Sequence, residues 1–176
     1  PAAAEADFFP MLVLDAVLTG AKGVNLWAAF RGAPQRKARL YTRLVDEGLA
    51  TQVSGALLPT IDPFLYTLSF TAADRVALQT LEQAVDAEID RVRTVGISGE
   101  ELSRAKRQLR ARLIFDNDSV TNIAHQLGYF ETVAGADYLV NLPGRVARVT
   151  ADEVSAVARR RLAPSSRTTG WFRPNG

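Results

Sequence analysis

Cysteine is missing from this 176-residue chain, and histidine occurs once, at His125. Without cysteine there are no disulfide staples, no thiol nucleophile and no zinc site built on thiolates. With one histidine, neither the His-Glu-x-x-His motif of zinc peptidases nor its inverted form can exist here, because each needs two. His125 sits within Ala124-His125-Gln126-Leu127-Gly128, a helical pattern, and no Gly-x-Ser-x-Gly turn presents a serine for it to activate. A structural or surface histidine is the expected reading, since a catalytic triad needs its nucleophile on a presented turn.

Long apolar runs are also missing. The best candidates, Phe8 to Leu18 and Ala56 to Phe70, are broken by Asp15, by Asp62 or by prolines, and neither is the roughly 18 to 20 unbroken residues of a membrane span. The chain opens on Pro1 and shows no basic stretch ahead of an apolar one, which reads as a fragment or processed chain with no visible signal peptide. A cysteine-free composition is compatible with cytoplasm and periplasm alike. Charge of one sign is lacking too: 21 basic and 19 acidic side chains leave a net +2. Arg159-Arg160-Arg161, and Arg104, Arg107 and Arg110, alternate with acidic and apolar residues as solvated helix faces do, so nucleic acid is not implied. Asp116-Asn117-Asp118 resembles a calcium loop, but the glycine and distal glutamate of such a loop do not follow; a helix cap is expected.

What remains is ordinary globular composition, 47% hydrophobic and 23% charged, enough for one domain over residues 1–176. Asp7 to Leu18 reads as a helix with Pro10 in its first turn and Gly20 at its end. Thr19 to Pro34 reads as a long loop carrying the apolar cluster Leu26-Trp27-Ala28-Ala29-Phe30, either a contact or core packing. A helix is expected from about Pro34 to Glu47, stopped by Gly48. The period then becomes two: Leu49, Thr51, Val53 and Leu57 alternate with polar or small residues, Pro59 to Pro63 connects, and Phe64, Tyr66, Leu68 and Phe70 line one face of a second strand.

Asp74 is expected to cap a helix through Val95, with Leu78, Leu81, Val85, Ile89 and Val92 inward. Two capping boxes follow, Ser98-Gly99-Glu100-Glu101 and Thr150-Ala151-Asp152-Glu153, each heading a helix. Asp118 to Thr132 and Tyr138 to Val146 read as shorter helices separated by Gly135 and Pro143, and Arg167 to Arg173 as a final strand. Helices collected beside a few antiparallel strands make an α+β two-layer domain, a mostly antiparallel sheet with helices on one face. Three strands are few for so many helices, so a further strand ahead of Pro1 is expected.

In order along the chain stand an opening helix ending in Leu18-Thr19-Gly20, Ala38-Arg39-Leu40-Tyr41, Gly48-Leu49-Ala50 and Asp62-Pro63-Phe64. Gly96-Ile97-Ser98 with Glu100-Glu101-Leu102, Val149-Thr150 with Glu153-Val154, and Arg167-Thr168-Thr169-Gly170 follow. This succession resembles the C-terminal, non-zinc domain of the M16 (insulinase-like, pitrilysin-type) metallopeptidases over nearly the whole chain. The resemblance implies an N-terminal domain or partner subunit carrying His-x-x-Glu-His and zinc, which supplies the attacking hydroxide, while this domain closes over the peptide.

In active relatives the second domain often lends an Arg and a Tyr from Leu-Arg-x-x-x-Gly-Leu-x-Tyr to stabilise charge on the carbonyl oxygen. Here the segment is Leu44-Val45-Asp46-Glu47-Gly48-Leu49-Ala50-Thr51, one residue shorter, with Val45 at the Arg position and Thr51 at the Tyr position. Arg43, two residues before Val45, faces elsewhere on a helix. The resemblance therefore implies no catalytic or metal-binding residue in this chain. Three functions are expected in descending order: a non-catalytic domain enclosing the peptide chamber of a zinc peptidase, with zinc in the parent; a structural or assembly subunit of the same fold with no activity; and an unrelated binding module.

Overall fold

The computed structural model describes residues 1–24, 36–117, 119–135 and 137–173. The expected loop cluster around Trp27, and the start of the helix expected from Pro34, lie outside them. The first helix, α1 (Phe8–Thr19), is buried along its whole length. Such a helix has no solvated face, which explains why Phe8 to Leu18 reads as nearly continuous apolar sequence. It packs against every later layer: β1 (Ala50–Leu57) of the sheet and the helices α3 (Gly99–Asp116), α5 (Asp137–Arg148) and α6 (Ala151–Arg161). Gly20, at φ +94°, ends it as expected.

β1 pairs antiparallel with β2 (Tyr66–Ala72), with Val53 opposite Phe70, Gly55 opposite Leu68 and Leu57 opposite Tyr66. Tyr66, Leu68 and Phe70 face the core, while Thr67, Ser69 and Thr71 are exposed. Phe64 precedes the strand and is exposed instead of lining its inner face. Glycine is required at position 55: a Cβ there would stand 2.5 Å from Asp15 Oδ1 and 2.7 Å from Thr19 Oγ1. The strand backbone thus lies directly on α1.

The capping boxes at Ser98 and Thr150 are both formed, with the Ser98 and Thr150 hydroxyls accepting from the N–H groups of Glu101 and Glu153 and each glutamate turning back to its cap N–H. Three expectations are corrected. The helix α2 (Leu78–Val95) starts after Ala77, not at Asp74, because Arg75 takes a left-handed φ of +64° that no helix continues through. Pro143 lies inside α5. It forfeits one hydrogen bond, and the burial of Tyr138, Leu142 and Val146 on one stripe carries the helix through. Arg167 to Arg173 forms no strand: Arg167 pairs with Asp86 and Glu82, and Trp171 Nε1 donates to Glu82 at 3.1 Å, which lays the segment along α2. Among the described residues the sheet has two strands.

The remaining helix, α4 (Val120–Val133), takes Ser119 as its cap, and Asn117 closes α3. A stacked Phe130–Tyr138 pair, 5.3 Å between centroids, fastens α4 and α5 beside Phe8 and Phe9. Burial pushes the Tyr138 phenol up in pKa, and its O–H donates to the Ala3 carbonyl at 2.8 Å. The result is an α+β domain with helices on one side of a small antiparallel sheet. No helix among the described residues is long and apolar enough to cross a membrane.

Candidate functional site

The segment from Arg39 to Val53 joins the helical layer to the sheet, and both of its regular pieces carry one residue too many. Tyr41–Val45 forms a π-type turn instead of an α-helix, with the Asp46 N–H donating to the Tyr41 carbonyl at 3.3 Å. Buried Leu40 and Leu44 anchor it. Gly48, at φ +73°, reverses the chain, and the Leu49 N–H returns to the Leu44 carbonyl at 2.8 Å. On β1, Ala50 pairs with Ala72 but Gln52 pairs with Thr71, so Thr51 is the extra residue of a β-bulge. The alternation expected from Leu49 through Val53 fails for this reason: Ala50 is buried, Thr51 and Gln52 are both exposed, and Val53 turns inward again.

Val45 is half-buried and packs against the core. The Thr51 hydroxyl donates to the Thr71 carbonyl at 3.4 Å on the exposed side of the sheet. Arg43 is engaged by Glu47 on the same turn. Neither Val45 nor Thr51 carries a charge, and the single hydroxyl between them is exposed. Around them the sheet surface includes Gln52, Thr67, Ser69 and Thr71, all exposed and uncharged, with half-buried Ser54 and buried Ala56 between them.

Two polar clusters hold this junction. In the first, Arg39 spans the molecule: its Nε and Nη2 donate to both oxygens of Glu101, Nη2 also to the Gly96 carbonyl at 3.1 Å, and Nη1 to buried Glu88 at 3.4 Å. The guanidinium, with the Ser98 N–H, holds the Glu101 carboxyl down to about 2. The connection between α2 and α3 is thereby tied to the turn that carries Val45. In the second cluster, buried Asp15 receives Tyr66 Oη at 2.9 Å, Thr19 Oγ1 at 2.7 Å and Lys22 Nζ at 2.9 Å. Burial, and then the Asp15 charge, push the Tyr66 phenol well above its ordinary value. All of Asp15's neighbours are donors, so the cluster is satisfied and structural.

Neither cluster was among the expected site residues, although a lone aspartate in a helix buried all round was a signal for the second. His125 stands exposed on α4, remote in sequence from both clusters. Among the described residues, no three of His, Asp and Glu are grouped so that they could hold a metal ion.

A protein-family model described as the peptidase M16 inactive domain matches residues 1–109. No curated protein matches the chain. Among solved structures, the inactive peptidase domain of a provisionally assigned zinc protease from Bordetella parapertussis is 22% identical, with a TM-score of 0.83 over 99% of this chain and 88% of that one. A provisionally assigned zinc protease from Bordetella pertussis Tohama I is similar at 22% identity and TM-score 0.81, over the same shares. A peptidase M16 inactive domain from Pseudomonas fluorescens is 19% identical with a TM-score of 0.71, and there this chain covers 35% of the solved one. At these identities the structures speak for the fold, and the family model carries the assignment: the chain belongs to the peptidase M16 inactive-domain family.

Proposed function

We propose that residues 1–176 act as one non-catalytic domain, which helps enclose the peptide-binding chamber of a zinc-dependent peptidase whose metal is held by an N-terminal domain or a partner subunit. The observation that carries this reading is the one-sided sheet. Its inner face is packed on helices, whereas Gln52, Thr67, Ser69 and Thr71 leave the other face open, uncharged and rich in hydrogen-bonding groups. Such a surface suits varied peptides, because it offers donors and acceptors without selecting a charge. In this reading Val45 and Thr51 occupy the positions of the family's Arg and Tyr and supply no charge to the reaction. Carbonyl polarisation then belongs to the zinc-bearing half.

The same two residues favour a second reading, a structural or assembly subunit with the fold and no peptidase activity. One experiment separates the two. The flanking reading frames are searched for His-x-x-Glu-His on a helix, and any such protein is co-purified with this chain and assayed on a quenched fluorescent peptide library. Chelator-sensitive cleavage that requires both proteins supports the first reading. A stable complex without cleavage supports the second, and absence of the motif from the neighbourhood removes the first.

A further inference from the structure

We propose that the outward face of α3, continued onto the start of α4, is a docking surface for an anionic lipid bilayer, at which the domain rests without crossing. The surface is separate from the open sheet face, so the inference stands apart from the chamber reading. On α3 the exposed residues Arg107, Arg110, Ala111 and Ile114 follow one another at intervals of three and four and therefore share one helix face. Ile114 is 63% exposed, Phe115 70% and, across the bend, Val120 84%. Lys106 Nζ donates to the Ala147 carbonyl at 2.8 Å, which brings the end of α5 and its exposed Arg148 beside the middle of α3.

Most arginines on the molecule are paired with carboxylates, though among the described residues Arg36, Arg145, Arg159, Arg173 and the lysine Lys37 are not. Arg39, Arg43, Arg91, Arg93, Arg104, Arg112, Arg160, Arg161 and Arg167 all pair with carboxylates. Arg107, Arg110 and Arg148 make no ion pair to any carboxylate among the described residues. These three guanidinium groups leave uncompensated positive charge beside exposed Ile114, Phe115 and Val120. Charge complementarity calls for an anionic partner, and the apolar side chains decide which kind. A phosphate backbone or an acidic peptide would pair the arginines but leave Ile114, Phe115 and Val120 in water. An anionic membrane surface satisfies both, taking the apolar side chains into the headgroup region and the guanidinium groups onto lipid phosphates.

The test is co-sedimentation of the chain with vesicles of phosphatidylglycerol mixed into phosphatidylcholine, against vesicles of phosphatidylcholine alone. Binding is expected only to the anionic vesicles and is expected to weaken on raising salt, as surface electrostatics do. The double variant Arg107→Glu, Arg110→Glu should reduce the bound fraction about tenfold or more, and Ile114→Ser, Phe115→Ser should also reduce it. All four sites are exposed or outward-facing, and an unchanged thermal unfolding curve checks that the variants fold. Wild-type chain that stays in the supernatant, binding indifferent to lipid charge or to the Arg→Glu pair, or tighter binding to an oligonucleotide or an oligoglutamate peptide than to the vesicles would each overturn the proposal.

Discussion

Asp15 and Asp116 are buried aspartates near the C-terminal ends of α1 and α3, and the two regions treat them in opposite ways. Both sit where the helix dipole disfavours negative charge. Asp15 is compensated by three donors, from Thr19, Tyr66 and Lys22, supplied by its own helix, the following segment and β2. Asp116 has Arg112 Nε at 3.0 Å from one oxygen, while its Oδ2 is buried with no hydrogen-bond partner. Gln126, its buried neighbour, donates to the Asp116 main-chain carbonyl at 3.2 Å and not to the side chain. Burial accordingly raises the Asp116 carboxyl above its usual range, and Arg112 only partly opposes this. Buried charge is tolerated in proportion to the donors around it, and the sheet side of the molecule is better provided than the α3–α4 bend.

The largest effect should come from breaking the well-provided side. Asp15→Ala strands the Lys22 ammonium and the Tyr66 hydroxyl among buried atoms and should cost about 4 kcal/mol, the usual range for removing one partner of a buried pair. Denaturant unfolding measures it; a loss below about 1 kcal/mol would mean that water replaces the carboxylate. Arg39→Leu comes next at about 3 kcal/mol, because it leaves buried Glu88 and the carboxylate of Glu101 without their shared cation.

Arg39 and Glu101 also carry a pH signature. With its folded pKa held near 2 against an ordinary 4.5, Glu101 contributes stability that is complete above the ordinary value and is lost as pH falls through that window. Glu101→Gln should flatten this limb of the stability profile, and an acid limb of unchanged steepness would assign it to other carboxylates. Gly55→Ala is expected to be milder, about 2 kcal/mol, since it forces α1 and β1 apart at Asp15 without removing a charge.

Features fixed by a few adjacent residues were legible in the sequence. The capping boxes at Ser98 and Thr150, the end of α1 at Gly20 and the pairing of two strands across Pro59 to Pro63 all follow from local chemistry. Features decided by distant contacts were not. Asp74 has the right residue type for a cap, but the left-handed turn at Arg75 separates it from the helix. Pro143 is a breaker overruled by the buried stripe on either side of it. The bulge at Thr51 leaves no mark in composition, so strict alternation put Thr51 inward. At the candidate site, the tether from Arg39 to Glu88 and Glu101 depends on residues far apart in the chain.

The smallest expected effect tests the poorly provided side, and its sign is opposite to the others. Asp116→Asn keeps the shape, removes a charge that the dipole and burial both disfavour, and offers an amide where Oδ2 has no partner. It should stabilise the domain by about 1 kcal/mol near neutral pH. Because the folded pKa of Asp116 is raised, the wild-type carboxyl contributes its full stability below the ordinary value of 3.8 and loses it as pH rises through the folded value. The advantage of the Asn variant should therefore shrink as pH is lowered. Thermal unfolding of both proteins across acid to neutral pH reads the difference directly. If the variant is less stable than wild type at neutral pH, the Arg112 pair outweighs the cost of burial, and the contrast between the two aspartates is one of degree.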